Sequence, residues 1–106
     1  MGRIVIAAYR PRPGRANELA ELLADHAAML CREGFATDRA PVLMHAADGT
    51  VVEVFEWRDR ASIEAAHESQ RVLGLWERIA RVATYVPVAD VPEAANLFSE
   101  FSSEAI

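Results

Sequence analysis

The chain has one cysteine, Cys31, and no lysine among its 106 residues. A single thiol excludes an internal disulfide and any cysteine-rich zinc site. Positive charge is also scarce. Eleven arginines stand against 16 acidic residues, giving a formal net charge of −5 and a pI near 5.1. That balance argues against a nucleic-acid partner, whose ligand would need a basic face to neutralise phosphates, and against an anionic membrane. No apolar run reaches the length of a membrane span. The first one, Ile4 to Ala8, has the length of a strand and is too short for the core of a signal peptide. A cytoplasmic setting is the expectation. The arginine-only, alanine-rich usage fits a GC-rich bacterial genome.

What remains is an ordinary globular composition, 52% apolar and 25% charged. The length predicts one domain over residues 1–106, with a core of about 3–88 and a C-terminal tail of 89–106. Ile4 to Tyr9 reads as a first strand, stopped by Pro11 and Pro13. A helix follows from about Arg15 to Glu33, with Leu19, Leu22, Leu23, His26 and Leu30 on one stripe and Gly34 as its terminator. Val42 to Ala47 and Thr50 to Trp57 flank Asp48-Gly49 and read as a hairpin. With a two-residue turn, His45 faces Val52 and Leu43 faces Val54. One face then carries Val42, Met44, Ala46, Val51, Glu53, Phe55 and Trp57, and it is placed toward the helices. Asp59 is a cap for the next helix. Its stripe of Ile63, Ala66 and His67 is interrupted over Glu68 to Arg71 and resumes with Val72, Leu73, Trp76 and Ile79, which predicts a break. Thr84 to Val88 is a last strand near an edge, and Glu93 to Phe98 a short C-terminal helix.

The order βαββαβ predicts an α+β, ferredoxin-like domain: a four-stranded antiparallel sheet with two helices on one face. The other face holds Leu43, Val52 and Val54 with no helix left to cover it. An apolar face of that size calls for a cover. A homodimer packed sheet to sheet is the expectation, clasped by the tail residues Leu97, Phe98 and Phe101.

Glu53 is the lone carboxylate on the sheet face assigned to the helices, and His26 lies on the apolar stripe of the first helix. Two readings are open. A His26–Glu53 pair holds one imidazole tautomer for general-base work, or His26 is a satisfied core histidine. His67, beside the helix break, is either a second base or donor at a pocket or a half-exposed helix residue. Trp76, Tyr85, Phe55 and Met44 are candidate walls for an aromatic substrate, with core packing as the alternative. No metal site is expected, because His26, His45 and His67 sit on three different elements without ligand spacing. Arg10, Arg12 and Arg15 flank Gly14 without a phosphate-loop pattern, and Cys31 reads as a small filler.

Tyr9-Arg10-Pro11-Arg12-Pro13-Gly14-Arg15 before a long helix, and Glu53-Val54-Phe55-Glu56-Trp57-Arg58-Asp59 leading into the next, carry a resemblance. Over about residues 3–88 the chain resembles the antibiotic biosynthesis monooxygenase-like domains of the dimeric α/β-barrel superfamily. The resemblance implies a dimeric barrel and a cofactor-independent, monooxygenase-like or cyclase-like activity on a small aromatic or polyketide-type molecule. No cofactor is expected. The haem-degrading branch places an Asn, a Trp and a His where this chain has Ala7, Ala66 and Trp76. A dimer that only binds a small ligand is the alternative, since one fold hosts many functions.

Overall fold

The computed structural model describes residues 1–105. The elements run β1 (Arg3–Pro11), α1 (Ala16–Arg32), β2 (Val42–His45), β3 (Val51–Trp57), α2 (Arg60–Ala66), α3 (Gln70–Val82) and β4 (Ala83–Val86). The four strands form one sheet in the order β2-β3-β1-β4, and every pairing is antiparallel. That is the ferredoxin-like arrangement the element order predicts, with the second helix divided in two. No described helix is long and apolar enough to cross a membrane.

Local chemistry explains the boundaries. Gly34 takes φ +83, where a side chain is strained. Its N–H reaches the Cys31 carbonyl at 3.0 Å and the Phe35 N–H reaches that of Leu30 at 2.9 Å, which closes α1 in a Schellman motif. Asp59 caps α2 by accepting from the Ser62 N–H at 2.8 Å. Ser69 then starts α3 by accepting from the Val72 N–H, so the break between α2 and α3 is a new helix start.

The hairpin departs from expectation. Ala46 N–H donates to the Thr50 carbonyl and Gly49 N–H to that of Ala46, so the loop is three residues long. Gly49, at φ +92, supplies the left-handed residue of a bulged turn. The register becomes Leu43 opposite Glu53 and His45 opposite Val51. A one-residue slip turns every side chain of a strand over. Leu43 and His45 therefore lie on the helix side with Glu53. Met44 and Val42 lie on the other side.

The helix-side core joins Leu19, Leu23 and Leu30 of α1 to Val72, Ile79 and Val82 of α3 and Phe55 and Trp57 of β3. Burying one such aliphatic side chain contributes roughly 1.5–3 kcal/mol. The other face is not bare. The C-terminal helix expected over Glu93 to Phe98 is instead two 3₁₀ turns, Val88–Asp90 and Pro92–Ala95. They fold back so that Val91, Ala94 and Phe101 pack with Ala8, Met44 and Val52. The Glu93 carboxylate accepts from the Ala47 N–H at 2.8 Å, and Ser102 bridges to His45 at the sheet edge. Phe101 thus covers its own sheet. Ile4, Ile6 and Val42 remain about half exposed on that face, and Leu97 and Phe98 project from the tail.

Candidate active site

Adjacent antiparallel strands bring their same-face residues together. Ala7 of β1 sits opposite Glu53 of β3, so Tyr9, two residues on, is its diagonal neighbour. The Tyr9 hydroxyl donates to Glu53 Oε1 at 2.7 Å. From above, His26 of α1 places Nδ1 2.8 Å from Oε1 and 3.1 Å from Oε2 of the same carboxylate. From α3, Trp76 Nε1–H donates to His26 Nε2 at 2.9 Å. Tyr9, Glu53 and His26 are each at most 2% exposed.

The chain of contacts assigns the protons. An indole N–H only donates, so His26 Nε2 carries a lone pair. The ring proton is then on Nδ1, and it points at Glu53. Glu53 accepts from both His26 and Tyr9. No buried side-chain N or O among the described residues lacks a partner, as a buried polar network requires. The sequence reading brings His26 and Glu53 together, and the structure does so by direct contact. It misses Tyr9, although period-two alternation puts Tyr9 on the same face as Ala7. It also assigns Trp76 only a wall's role, whereas the indole closes the imidazole's outer nitrogen.

Beside this network a cavity of about 620 Å³ opens between the sheet and helices α2 and α3. That volume is in the range of small-molecule sites, roughly 300–1,000 Å³. Phe55, Trp57, Trp76 and Tyr85 line it together with His26 and His67. Met44 does not, because the hairpin register turns it to the opposite face, against the tail. His45 joins the helix side of the sheet but not the cavity wall. His67 stands at the end of α2, where Nδ1–H donates to the Ile63 carbonyl at 2.7 Å. Its Nε2 therefore carries the lone pair and has no described partner. The ring lies edge-on to Trp76, with centroids 4.9 Å apart. The Tyr85 ring leans on Tyr9 at 5.3 Å, and its hydroxyl donates to the Trp76 carbonyl at 3.3 Å.

Burial, reinforced by the charge of Glu53 and its hydrogen bond, pushes the Tyr9 phenol far above its ordinary range. Burial and Glu53 raise Tyr85 as well. A pKa raised in the fold stabilises the protein below the ordinary tyrosine value near 10, and that stability is lost as pH climbs beyond it. These are the only two tyrosines in the chain. A phenol as buried as that of Tyr9 ionises only as the fold opens, so at most one tyrosinate, that of the half-exposed Tyr85, is expected while helical circular dichroism is intact. Two tyrosinates at pH 10 in a fully folded protein would contradict the buried network.

The remaining candidates are accounted for locally. Arg10 bonds Thr50, Arg12 the Ala80 carbonyl and Arg15 the Glu18 carboxylate, so they do not converge on an anion. Cys31 is half-buried on α1 and outside the cavity. No cluster of His, Cys, Asp or Glu among the described residues is arranged to hold a metal ion.

No protein-family model matches the chain. No curated protein matches it either. Two solved structures do. Rv0793 from Mycobacterium tuberculosis superposes with a TM-score of 0.62 at 22% identity, over 82% of this chain and 94% of that one. A protein described as an antibiotic biosynthesis monooxygenase gives 0.61 at 21% identity, over 81% and 94%. At such identity the likeness is one of fold: the chain is an α+β, ferredoxin-like domain built as an antibiotic biosynthesis monooxygenase is built.

Proposed function

We propose that this chain is a cofactor-independent, monooxygenase-like enzyme acting as a homodimer on a small aromatic or polyketide-type molecule. One observation carries the reading: a largely apolar, aromatic-walled cavity of about 620 Å³ whose rim holds an imidazole nitrogen with a free lone pair. His67 Nε2 is the base. It takes the proton of a phenolic or enolic hydroxyl. The electron-rich anion then reacts with dioxygen against the apolar, aromatic wall. One oxygen atom forms a new bond to the ring carbon and the other leaves as water. The substrate supplies the electrons and ends as a quinone. Tyr85, Trp76, Trp57 and Phe55 hold the ring, and the Tyr9–Glu53–His26 network fixes Trp76.

The dimer reading draws support from the half-exposed Ile4, Ile6 and Val42 on the outer sheet face, with Leu97 and Phe98 beside the tail. A second copy is the natural cover for such a patch. Native mass spectrometry is expected to give twice the chain mass. A single chain at micromolar concentration would remove the dimer from the proposal.

A second reading is a ligand-binding dimer without catalysis. It is favoured by the capped state of His26, whose Nε2 already accepts from Trp76. Oxygen uptake separates the two. Air-saturated protein with hydroxynaphthalenes, and no added flavin, haem or metal, is expected to consume one dioxygen per quinone formed. Binding of those compounds with no oxygen consumption would leave the second reading standing alone.

A further inference from the structure

We propose that Tyr9 is a redox-active residue: a one-electron oxidant in the cavity draws an electron from it, while its hydroxyl proton crosses to Glu53 and later returns. The proposal goes beyond the monooxygenase-like reading and holds whichever ligand the cavity takes. It follows from where each oxidisable ring sends its hydrogen.

Four side chains around the cavity can give up an electron: Tyr9, Trp57, Trp76 and Tyr85. Loss of an electron makes a phenol or an indole strongly acidic. The oxidised ring is therefore held only where a base stands on its O–H or N–H. The Trp57 N–H has no partner among the described hydrogen bonds, although its ring lines the cavity. The Tyr85 hydroxyl meets the Trp76 carbonyl, an amide that keeps no proton. The other two point at bases. Trp76 Nε1–H donates to His26 Nε2 at 2.9 Å, and the Tyr9 hydroxyl to Glu53 Oε1 at 2.7 Å. Both bases belong to one buried pair, joined at 2.8 Å.

Tyr9 is where the oxidation comes to rest. Its proton neutralises the buried Glu53 carboxylate, so the product is a neutral phenoxyl beside a neutral acid. No uncompensated charge is left in the core. The phenoxyl is 2% exposed and shielded from collision, whereas Trp76 is only part-buried. Tyr85, about half exposed, lines the cavity with its ring 5.3 Å from that of Tyr9, in contact to pass the electron outward. The oxidant is of the organic peroxyl class. It takes the electron and a solvent proton and ends as a hydroperoxide. The Tyr9 O–H bond breaks, an O–H bond forms on Glu53, and the ring keeps the unpaired electron. An external one-electron reductant such as ascorbate restores that electron, and the proton returns from Glu53. Tyr9 thus spares the aromatic wall from permanent oxidation.

Tyr9 and Tyr85 are the chain's only tyrosines, so Tyr85→Phe leaves Tyr9 alone. That variant is oxidised by a flash with photogenerated tris(bipyridine)ruthenium(III) and followed by transient absorption and electron paramagnetic resonance. A neutral tyrosyl radical that ascorbate removes is expected. Its rate of formation should be flat across the neutral pH range, because Glu53 is the base, and slower in deuterium oxide. A tyrosine in water instead oxidises faster as pH rises. In Glu53→Gln/Tyr85→Phe, formation should slow by roughly 10²-fold, the usual contribution of a positioned base. Absence of a tyrosyl radical in folded Tyr85→Phe overturns the proposal. So does a rate that climbs with pH, or one that a folded Glu53→Gln/Tyr85→Phe leaves unchanged. If the double variant does not fold, the pH and isotope profile of Tyr85→Phe decides alone. None of these outcomes bears on the cavity's ligand, which oxygen uptake tests separately.

Discussion

Replacing His67 with Gln is expected to lower kcat by roughly 10²–10⁴-fold, the usual contribution of a positioned general base. Affinity should change little, because the glutamine oxygen still accepts a hydrogen bond from the ligand but takes no proton at neutral pH. Stability should stay within about 1 kcal/mol. His67 is exposed, and beyond its bond to the Ile63 carbonyl it touches mainly the edge of Trp76. The diagnostic companion is His67→Ala with added imidazole. Partial recovery of oxygen uptake identifies the missing base. A His67→Gln protein that turns over at the native rate would remove His67 from the chemistry and leave it as a rim residue.

The second large effect is on stability and falls on His26. In His26→Ala, the buried Glu53 keeps only the Tyr9 hydroxyl, and Trp76 loses the acceptor of its N–H. Breaking a buried pair from one side costs about 3–5 kcal/mol. That is a large share of the 5–15 kcal/mol of a typical small domain. The melting temperature should fall by roughly 15 °C or more, since 1 kcal/mol moves a domain of this size about 4–8 °C. The double variant His26→Ala/Glu53→Gln should recover part of the loss, because the orphaned acceptor charge is then gone. Thermal unfolding of both proteins measures this. A single variant within about 1 kcal/mol of the native protein, with no coupling to Glu53, would mean that the network contributes no more than a surface contact.

The assignment of roles between the two histidines follows from their outer nitrogens. His26 has the acidic partner that a catalytic dyad displays, and the residue types alone favour it as the base. Trp76 occupies its Nε2, so in this structure the dyad is a buried brace for the aromatic wall. His67 has no carboxylate beside it among its hydrogen-bond partners, yet it lines the cavity with its Nε2 outside any described hydrogen bond. Availability of the lone pair, not the presence of an acidic neighbour, decides which imidazole can receive a proton.

Much of this was legible in residue order, and for local reasons. Apolar spacing of 3.6 and 2 reports helix and strand wherever one face is buried. The terminators act over a few residues, as Gly34 and Asp59 do. The interruption over Glu68 to Arg71 shows in the stripe itself, and it became the α2–α3 break. Even the approach of His26 to Glu53 follows, since the stripe and the alternation each point one polar residue into the same layer.

The rest depended on contacts far apart in the chain. Asp48-Gly49 suits a two-residue or a three-residue loop, and only the packing of both sheet faces selects the longer one and sends Met44 outward. Tyr9 and Glu53 are 44 residues apart, and Trp76 and His26 are 50 apart. No local propensity reports such pairs. The sequence by itself determined the four strands and the main helices, their order and the buried faces of α1 and β3, because those are set by interactions within a few residues. The tertiary structure alone decided the hairpin register, the proton pattern around His26 and the free side of His67, because a hydrogen bond depends on a few tenths of an ångström that only the assembled layers define.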